Sequence, residues 1–131
     1  MSRSPSPKPR CKTLIVEDDQ IARDALAEVL RRRGHEVETA ETVDDALVSL
    51  RGNPACIILD LILPDGNGVT VLRRARTFLI NCRVAIVTGV QDPFSIGEVT
   101  DLKPDAVFEK PLDMGALMKW LDGAKVKSAI G

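Results

Sequence analysis

Residues 55–68 read ACIILDLILPDGNG, an apolar run that ends in the carboxylate of Asp60 and continues into a turn rich in proline and glycine. Short apolar runs bounded by turn signals are typical of strands buried on both faces, as in a parallel sheet. In an open α/β sheet, ligands bind beyond the carboxyl ends of the strands. We therefore expect Asp60 to lie at a functional site whose other members come from the rest of the chain.

Strand and helix patterns alternate five times along the chain. The predicted strands are 13–16, 35–40, 55–60, 83–87 and 105–109. Helices are predicted over 20–33, from Thr42 to about residue 50, after Gly68, over 92–102 and from Asp113 to about residue 126. Thr42 and Asp113 are of the residue types that cap helices. This order predicts an α/β fold with a doubly wound, five-stranded parallel sheet of the flavodoxin-like (βα)5 type.

Apolar residues recur at helical spacing in the first helix, which predicts one face turned toward the core. The residues on that face are Ile21, Ala22, Ala25, Leu26, Val29 and Leu30.

Composition indicates one ordinary globular domain of 131 residues, with 28% charged and 44% apolar residues. Residues 1–12 form a basic, proline-rich leader, 13–126 the domain and 127–131 a tail. Without the leader, 14 basic residues face 19 acidic ones, which argues against direct nucleic-acid binding. The three cysteines lack metal-ligand spacing, and no apolar run is long enough for a membrane span. We expect a cytoplasmic protein with reduced thiols.

Right-handed crossovers bring the ends of the first, third, fourth and fifth strands to one edge of the sheet. Those ends carry Glu17 and Asp18, Asp60, Thr88 and Lys110. Clustered carboxylates repel one another and need a cation, and oxygen ligands with open positions suit Mg²⁺. A carboxylate held in this way can attack a phosphoryl group, with Lys110 supplying positive charge and Thr88 a donor.

The same residues resemble the receiver domain of two-component response regulators, over about residues 12 to 125. The matching features are the Glu17-Asp18 pair with Arg23 after it, Asp60 with Pro64 and Gly68, Thr88, and Lys110-Pro111. Each feature is weak alone, but four in this order at strand ends are specific.

The resemblance implies a role for each matching residue. Asp60 is the implied phosphoacceptor. Mg²⁺ would be held by Glu17, Asp18, Asp60 and the main-chain carbonyl of Ile62. The phosphoryl group would be contacted by Thr88 and Lys110. The implied donor is a phosphohistidine on a histidine kinase or phosphotransfer protein. We expect a stand-alone signalling switch with a downstream protein target rather than a turnover enzyme.

Two positions depart from the family pattern. Val107 replaces the usual aromatic switch residue, and Phe108, one residue later, is expected to point to the other face of its strand. Gly89 replaces the usual alanine. In the receiver family, the residues two positions after the phosphoacceptor and two after the threonine flank the approach of water. By this resemblance they are Ile62 and Val90 here, and two apolar residues predict a long-lived phosphorylated form.

Other functions fit the sequence less well. The runner-up is a phosphorylation-independent interaction module of the same fold, and a small phosphatase is a distant third. Phosphatases of the haloacid dehalogenase type need a second Asp where Ile62 stands, and the chain has neither a complete dinucleotide fingerprint nor a phosphate-binding loop.

Overall fold

Five strands alternate with five α-helices in the computed structural model, which describes residues 11–79, 81–89 and 96–130. The strands are β1 (Lys12–Val16), β2 (Glu36–Ala40), β3 (Cys56–Asp60), β4 (Arg83–Thr88) and β5 (Ala106–Glu109). The helices are α1 (Gln20–Arg32), α2 (Val43–Ser49), α3 (Val69–Phe78), α4 (Ile96–Asp101) and α5 (Met114–Ile130). A 3₁₀ turn, Leu50–Gly52, follows α2, and the two-residue strands Ile62–Leu63 and Gly66–Asn67 form a small hairpin after β3.

The five strands form one parallel sheet in the order β2-β1-β3-β4-β5, as predicted. β3 is central, and all five of its residues are buried. Because the strands are parallel, their carboxyl ends lie along one edge. Asp60, the last residue of β3, is paired in register with Val87 of β4.

The core consists of two layers, one on each face of the sheet. Alternate residues of one strand enter different layers, as the period of a strand requires. Ile57 and Leu59 pack with residues of α2 and α3, whereas Ile58 packs with residues of α1 and α5. Helices on both faces explain why the inner strands β1, β3 and β4 are largely apolar, whereas the edge strand β2 is mostly polar and exposed.

Side chains cap the helices where the sequence predicts. The hydroxyl of Thr42 accepts a hydrogen bond of 3.0 Å from an amide in the first turn of α2, and the carboxylate of Asp113 accepts one of 3.1 Å in the first turn of α5. Asp19 caps α1 in the same way. Gly34, with φ of 92°, lets the chain leave the end of α1 in a conformation that favours glycine.

The predicted inward face of α1 is wrong for its first turns. Ile21 is 82% exposed, and Ala22 and Ala25 are also exposed. The buried residues of α1 start at Leu26 and Ala27. Alanine has so little apolar area that helical spacing alone does not decide whether it faces the core, and α1 begins beyond the carboxyl edge of the sheet.

Some predicted boundaries differ from the structure. α5 continues to Ile130, past residue 126 and through most of the predicted tail. α4 is described over Ile96–Asp101, inside the predicted range 92–102. Residues 92–95, Val90 and residues 1–10 of the leader lie outside the described residues. Within the described ranges, no helix is long and apolar enough to cross a bilayer.

Candidate functional site

Three carboxylates meet at the carboxyl edge of the sheet. Glu17 and Asp18 follow β1, and Asp60 ends β3. Each offers one oxygen, and the three oxygens lie within 4.8 Å of one another. Asp60 is only 4% exposed, whereas Asp18 is on the surface. The cluster therefore combines a buried carboxylate with an open side, a geometry that suits a hard, partly hydrated cation.

Lys110, just after β5, supplies the positive charge at this cluster. Its Nζ lies 2.7 Å from Oδ2 of Asp60 and 3.4 Å from Oε1 of Glu17. Partial burial alone would lower the pKa of Lys110, but the hydrogen bond and negative charge of Asp60, aided by Glu17, outweigh it and raise that pKa. Lys110 is therefore held as a cation against two acids.

The pKa of Glu17 is affected by its burial and by the neighbouring charges. Burial and the charge of Asp60 raise the pKa of Glu17, and they outweigh the amide of Asp19 and the charge of Lys110, which lower it. The amide of Asp19 donates to Oε2 of Glu17 at 3.1 Å. Even with Lys110 nearby, ionisation of Glu17 is therefore less favourable in the folded protein than in water.

Both oxygens of Asp60 have a hydrogen-bond partner. Oδ2 accepts from Lys110, and Oδ1 accepts from the amide of Ile62 at 3.0 Å. The side chain of Ile62 points outward and is 57% exposed. The carboxylate is therefore fixed by two contacts.

Thr88 lies at the same edge as the acids. It is the last residue of β4, one position beyond the partner of Asp60 in the sheet register. Its hydroxyl donates to the carbonyl oxygen of Gly89 at 3.2 Å. Among the described residues, no atom lies within 4 Å of the place that a Cβ at Gly89 would take. The hydroxyl would have to rotate to reach a group bound at Asp60.

β5 presents no aromatic ring at the position of Val107. Val107 is 54% exposed, and Phe108 lies on the opposite face of the strand, as expected from strand alternation. The ring of Phe108 packs edge-on against Trp120 of α5, with centroids 6.4 Å apart. The exposed surface of β5 therefore carries a short, β-branched side chain.

Gly68 supports the site by its small size. A Cβ at this position would overlap the carbonyl oxygen of Asp60 and lie 3.0 Å from Cα of Leu61. The φ of Gly68 is −60°, so the requirement is space rather than backbone conformation. Its amide donates to the carbonyl of Leu61 at 2.7 Å, which closes the hairpin against β3.

Arg23 supports the acidic loop from α1. Its guanidinium donates to the carbonyl oxygen of Glu17 at 3.0 Å and to that of Asp18 at 3.3 Å. These contacts hold the backbone between β1 and α1, and so the two acids it carries.

Asp65, in the hairpin, has a supporting role that the sequence does not reveal. Its carboxylate accepts from the amides of Val43 at 2.7 Å and Asp44 at 3.1 Å, and the first of these bonds lowers the pKa of Asp65 most. The hairpin is therefore joined to the start of α2. An acid in a Pro-Asp-Gly turn has an ordinary local explanation, so no sequence signal marked this contact.

A cavity of about 300 Å³ lies beside the acids and was also missed. Ala22 and Ala25 of α1 form one wall, and Leu112 and Met114 another, with Asp60 in the lining. The alanines that sequence spacing assigned to the core thus border the site. The sequence did carry one signal of this cavity. It was a pair of alanines three residues apart, at the start of the helix that follows the acids.

A doubly wound sheet with an acidic cluster and a lysine at its carboxyl edge places this chain among the receiver-type α/β domains. A family profile described as the response regulator receiver domain matches residues 13–122. The chain belongs to that family, as its sequence features indicate.

Individual relatives agree with this assignment. The chain is 31% identical to the cyclic di-GMP phosphodiesterase of Thermotoga maritima, over 79% of this chain and 28% of that protein. It is 31% identical to the virulence transcriptional regulatory protein PhoP of Salmonella typhimurium, over 82% of this chain and 48% of that protein. The chain therefore spans less than half the length of these curated relatives.

Solved structures share the fold. A CheY-like response regulator receiver domain protein from Methanospirillum hungatei JF-1 superposes with a TM-score of 0.85 at 24% identity, covering 94% of this chain and all of that one. The signal receiver domain of a Luxo repressor protein from Vibrio parahaemolyticus gives a TM-score of 0.78 at 25% identity, covering 93% of this chain and 98% of that one.

Proposed function

We propose that this domain is a phosphorylation-dependent signalling switch that accepts a phosphoryl group on Asp60. The observation that carries the proposal is the buried carboxylate of Asp60, hydrogen-bonded to Lys110 at 2.7 Å and flanked by two more acids. The donor would be a phosphohistidine on a histidine kinase or a histidine phosphotransfer protein. A downstream protein would then distinguish the two forms of the domain.

The acids fit a magnesium ion. Glu17, Asp18 and Asp60, with the main-chain carbonyl of Ile62, would hold it. The geometry supports this assignment, because three carboxylates gather at this point and Lys110 pairs with only two of them. When bound, the ion would neutralise charge on the carboxylates and on the incoming phosphoryl group.

The residues of the chain have separable tasks in this transfer. An oxygen of Asp60 forms the new bond to phosphorus as the bond from phosphorus to the donor imidazole nitrogen breaks, and that nitrogen keeps the electron pair. Lys110 moves its contact from the carboxylate toward the phosphoryl oxygens, where it stabilises negative charge. Thr88 supplies a hydroxyl donor by turning away from Gly89.

Acetyl phosphate, a small phosphoryl donor, tests the proposal without a kinase. With Mg²⁺, the intact mass of the protein should rise by one phosphoryl group. Asp60→Asn should abolish the gain, and Asp24→Asn, at an exposed acid of α1, should retain it. A gain that persists in Asp60→Asn would refute the assignment. A folded wild-type protein that gains nothing would favour the phosphorylation-independent interaction module.

A further inference from the structure

Two thiols approach each other at the amino edge of the sheet, opposite to the acids. Cys11 lies one residue before β1, and Cys56 is the first residue of β3. Their Sγ atoms are 4.0 Å apart, and both cysteines are free thiols. Neither cysteine takes part in the proposed phosphoryl transfer to Asp60. We propose that Cys11 and Cys56 are a site of reversible oxidation and form an intramolecular disulfide.

The geometry leaves a small movement to complete. A disulfide places its sulfurs about 2.05 Å apart, so the two sulfurs must approach by roughly 2 Å. β1 and β3 are neighbours, and their pairing begins with Thr13 opposite Cys56. Cys11 precedes that pairing, and its carbonyl is held instead by the amide of Glu36 on the β2 side. Closing the bridge therefore does not require the β1–β3 ladder to break.

The two thiols differ in a way that assigns their roles. Burial, together with the neighbouring Cys11, raises the pKa of Cys56 to about 12, and the nearby charge of Arg83 only partly offsets this. Cys56 therefore stays protonated and shielded, whereas Cys11 is only half-buried. Cys11 is the thiol that an oxidant reaches first, and Cys56 is the one that resolves the oxidised sulfur.

A polar side chain, Thr13, lies beside the sulfur of Cys11. The hydroxyl of Thr13 lies 3.9 Å from Sγ of Cys11 and 3.1 Å from Nδ1 of His35. Thr13 is among the few buried polar residues of the described chain. Its hydroxyl donates to Sγ of Cys11 and can stabilise the negative charge on that sulfur as it attacks the oxidant.

Hydrogen peroxide serves as the oxidant in a balanced scheme. The thiolate of Cys11 attacks one peroxide oxygen, the O–O bond breaks, and a sulfenic acid forms with release of one water after protonation. The sulfur of Cys56 then attacks that of Cys11, and the hydroxyl leaves with the Cys56 proton as a second water. Two thiols and one peroxide become one disulfide and two waters, and a dithiol reductant reverses the change.

Cys82 provides a matched control inside the same chain. It is buried like Cys56, and burial also raises its pKa to about 12. It lies, however, in the core layer on the opposite face of the sheet, with α2 and α3, whereas Cys56 lies in the layer with α1 and α5. Cys82 therefore faces the other core layer from Cys56, and Cys82→Ser should leave the bridge intact.

The experiment treats the full chain with dilute hydrogen peroxide and then blocks the remaining thiols. The expected product is a monomer whose mass has fallen by two hydrogens, with one blocked thiol instead of three, and a dithiol should restore all three. Cys82→Ser should show the same bridge, and Cys11→Ser should not. The bridged form should also need more urea to unfold, because the cross-link restricts the unfolded chain.

Several results would overturn the proposal. They are three free thiols after peroxide treatment, a sulfinic acid at Cys11 without a bridge, disulfide-linked dimers only, or a bridge that survives in Cys11→Ser. Cys11 is half-buried at the edge of the fold, so this variant should remain folded, and its urea midpoint without peroxide checks that directly. Phosphorylation of Cys11→Ser with acetyl phosphate should be normal, which separates this proposal from the proposed function.

Discussion

Gly68→Ala should destabilise the protein, although it adds one methyl group at a position whose backbone conformation any residue can adopt. The added Cβ would overlap the carbonyl oxygen of Asp60 and press on Leu61. Both contacts are with backbone, which cannot rotate away as a side chain can. The hairpin would therefore have to move away from the end of β3.

The magnitude follows from three contributions. Overpacking of this kind typically costs about 1–3 kcal/mol. Weakening the 2.7 Å hydrogen bond from Gly68 to the carbonyl of Leu61 adds about 0.5–1.5 kcal/mol. Replacing glycine by alanine returns roughly 0.4–1 kcal/mol by restricting the unfolded chain. The net expectation is a loss of about 0.5–4 kcal/mol in the free energy of unfolding, with a central value of about 2 kcal/mol.

Urea denaturation of matched alanine variants measures this effect. Gly123→Ala, in α5, is the control, because a Cβ there would meet no described atom within 4 Å. That variant should be more stable than wild type by up to about 1 kcal/mol, from helix propensity alone. Gly68→Ala should also accept phosphate from acetyl phosphate more slowly, since the backbone of Asp60 is displaced. Equal stability of Gly68→Ala and wild type, or equal shifts in both variants, would refute the reasoning.

Three further predictions concern the site and its supports. Millimolar Mg²⁺ should raise the melting temperature of wild type but not of Asp18→Asn, and an unchanged wild-type melting curve would contradict a metal site there. After the phosphoryl donor is removed, Ile62→Asn should lose phosphate several-fold faster than wild type. The reason is that an amide side chain can orient the attacking water, whereas the exposed side chain of Ile62 cannot. Equal rates of phosphate loss would contradict this prediction. Asp65→Asn should be less stable than wild type at neutral pH. The pKa of Asp65 is lowered from 3.8 in the folded protein, so the stability difference between wild type and Asp65→Asn should be full above pH 3.8 and should shrink as the pH falls below that value. A stability difference that grows in acid would refute the capping role of the charge.

The sequence alone was sufficient for the fold and for the edge of the sheet that carries the site. Both faces of the inner strands β1, β3 and β4 are covered, so these strands appear as apolar runs whose ends can be read directly. Each run ends in a polar residue, and parallel topology places those ends together. Asp60, Glu17 and Lys110 were predicted to meet for this reason, and they do so within 3.4 Å of one lysine nitrogen.

Helical spacing was a weaker guide than strand ends. It placed Ala22 and Ala25 in the core, whereas they line the cavity beside the acids. The spacing identifies which residues share a face, but how far the helix overhangs the sheet decides which of its turns is covered. That overhang depends on the loop after β1 and on the contacts of Arg23, neither of which has a periodic signal.

Only the tertiary structure revealed the contacts between residues far apart in the chain. Asp65 caps a helix that begins 22 residues earlier, and Gly68 packs against the backbone of Asp60. Cys11 meets Cys56 between the neighbouring strands β1 and β3. Each contact depends on the register of the sheet and the path of the hairpin, to within about an ångström. Local patterns determine which segments become strands and helices, but distances of this kind are set when the segments pack together.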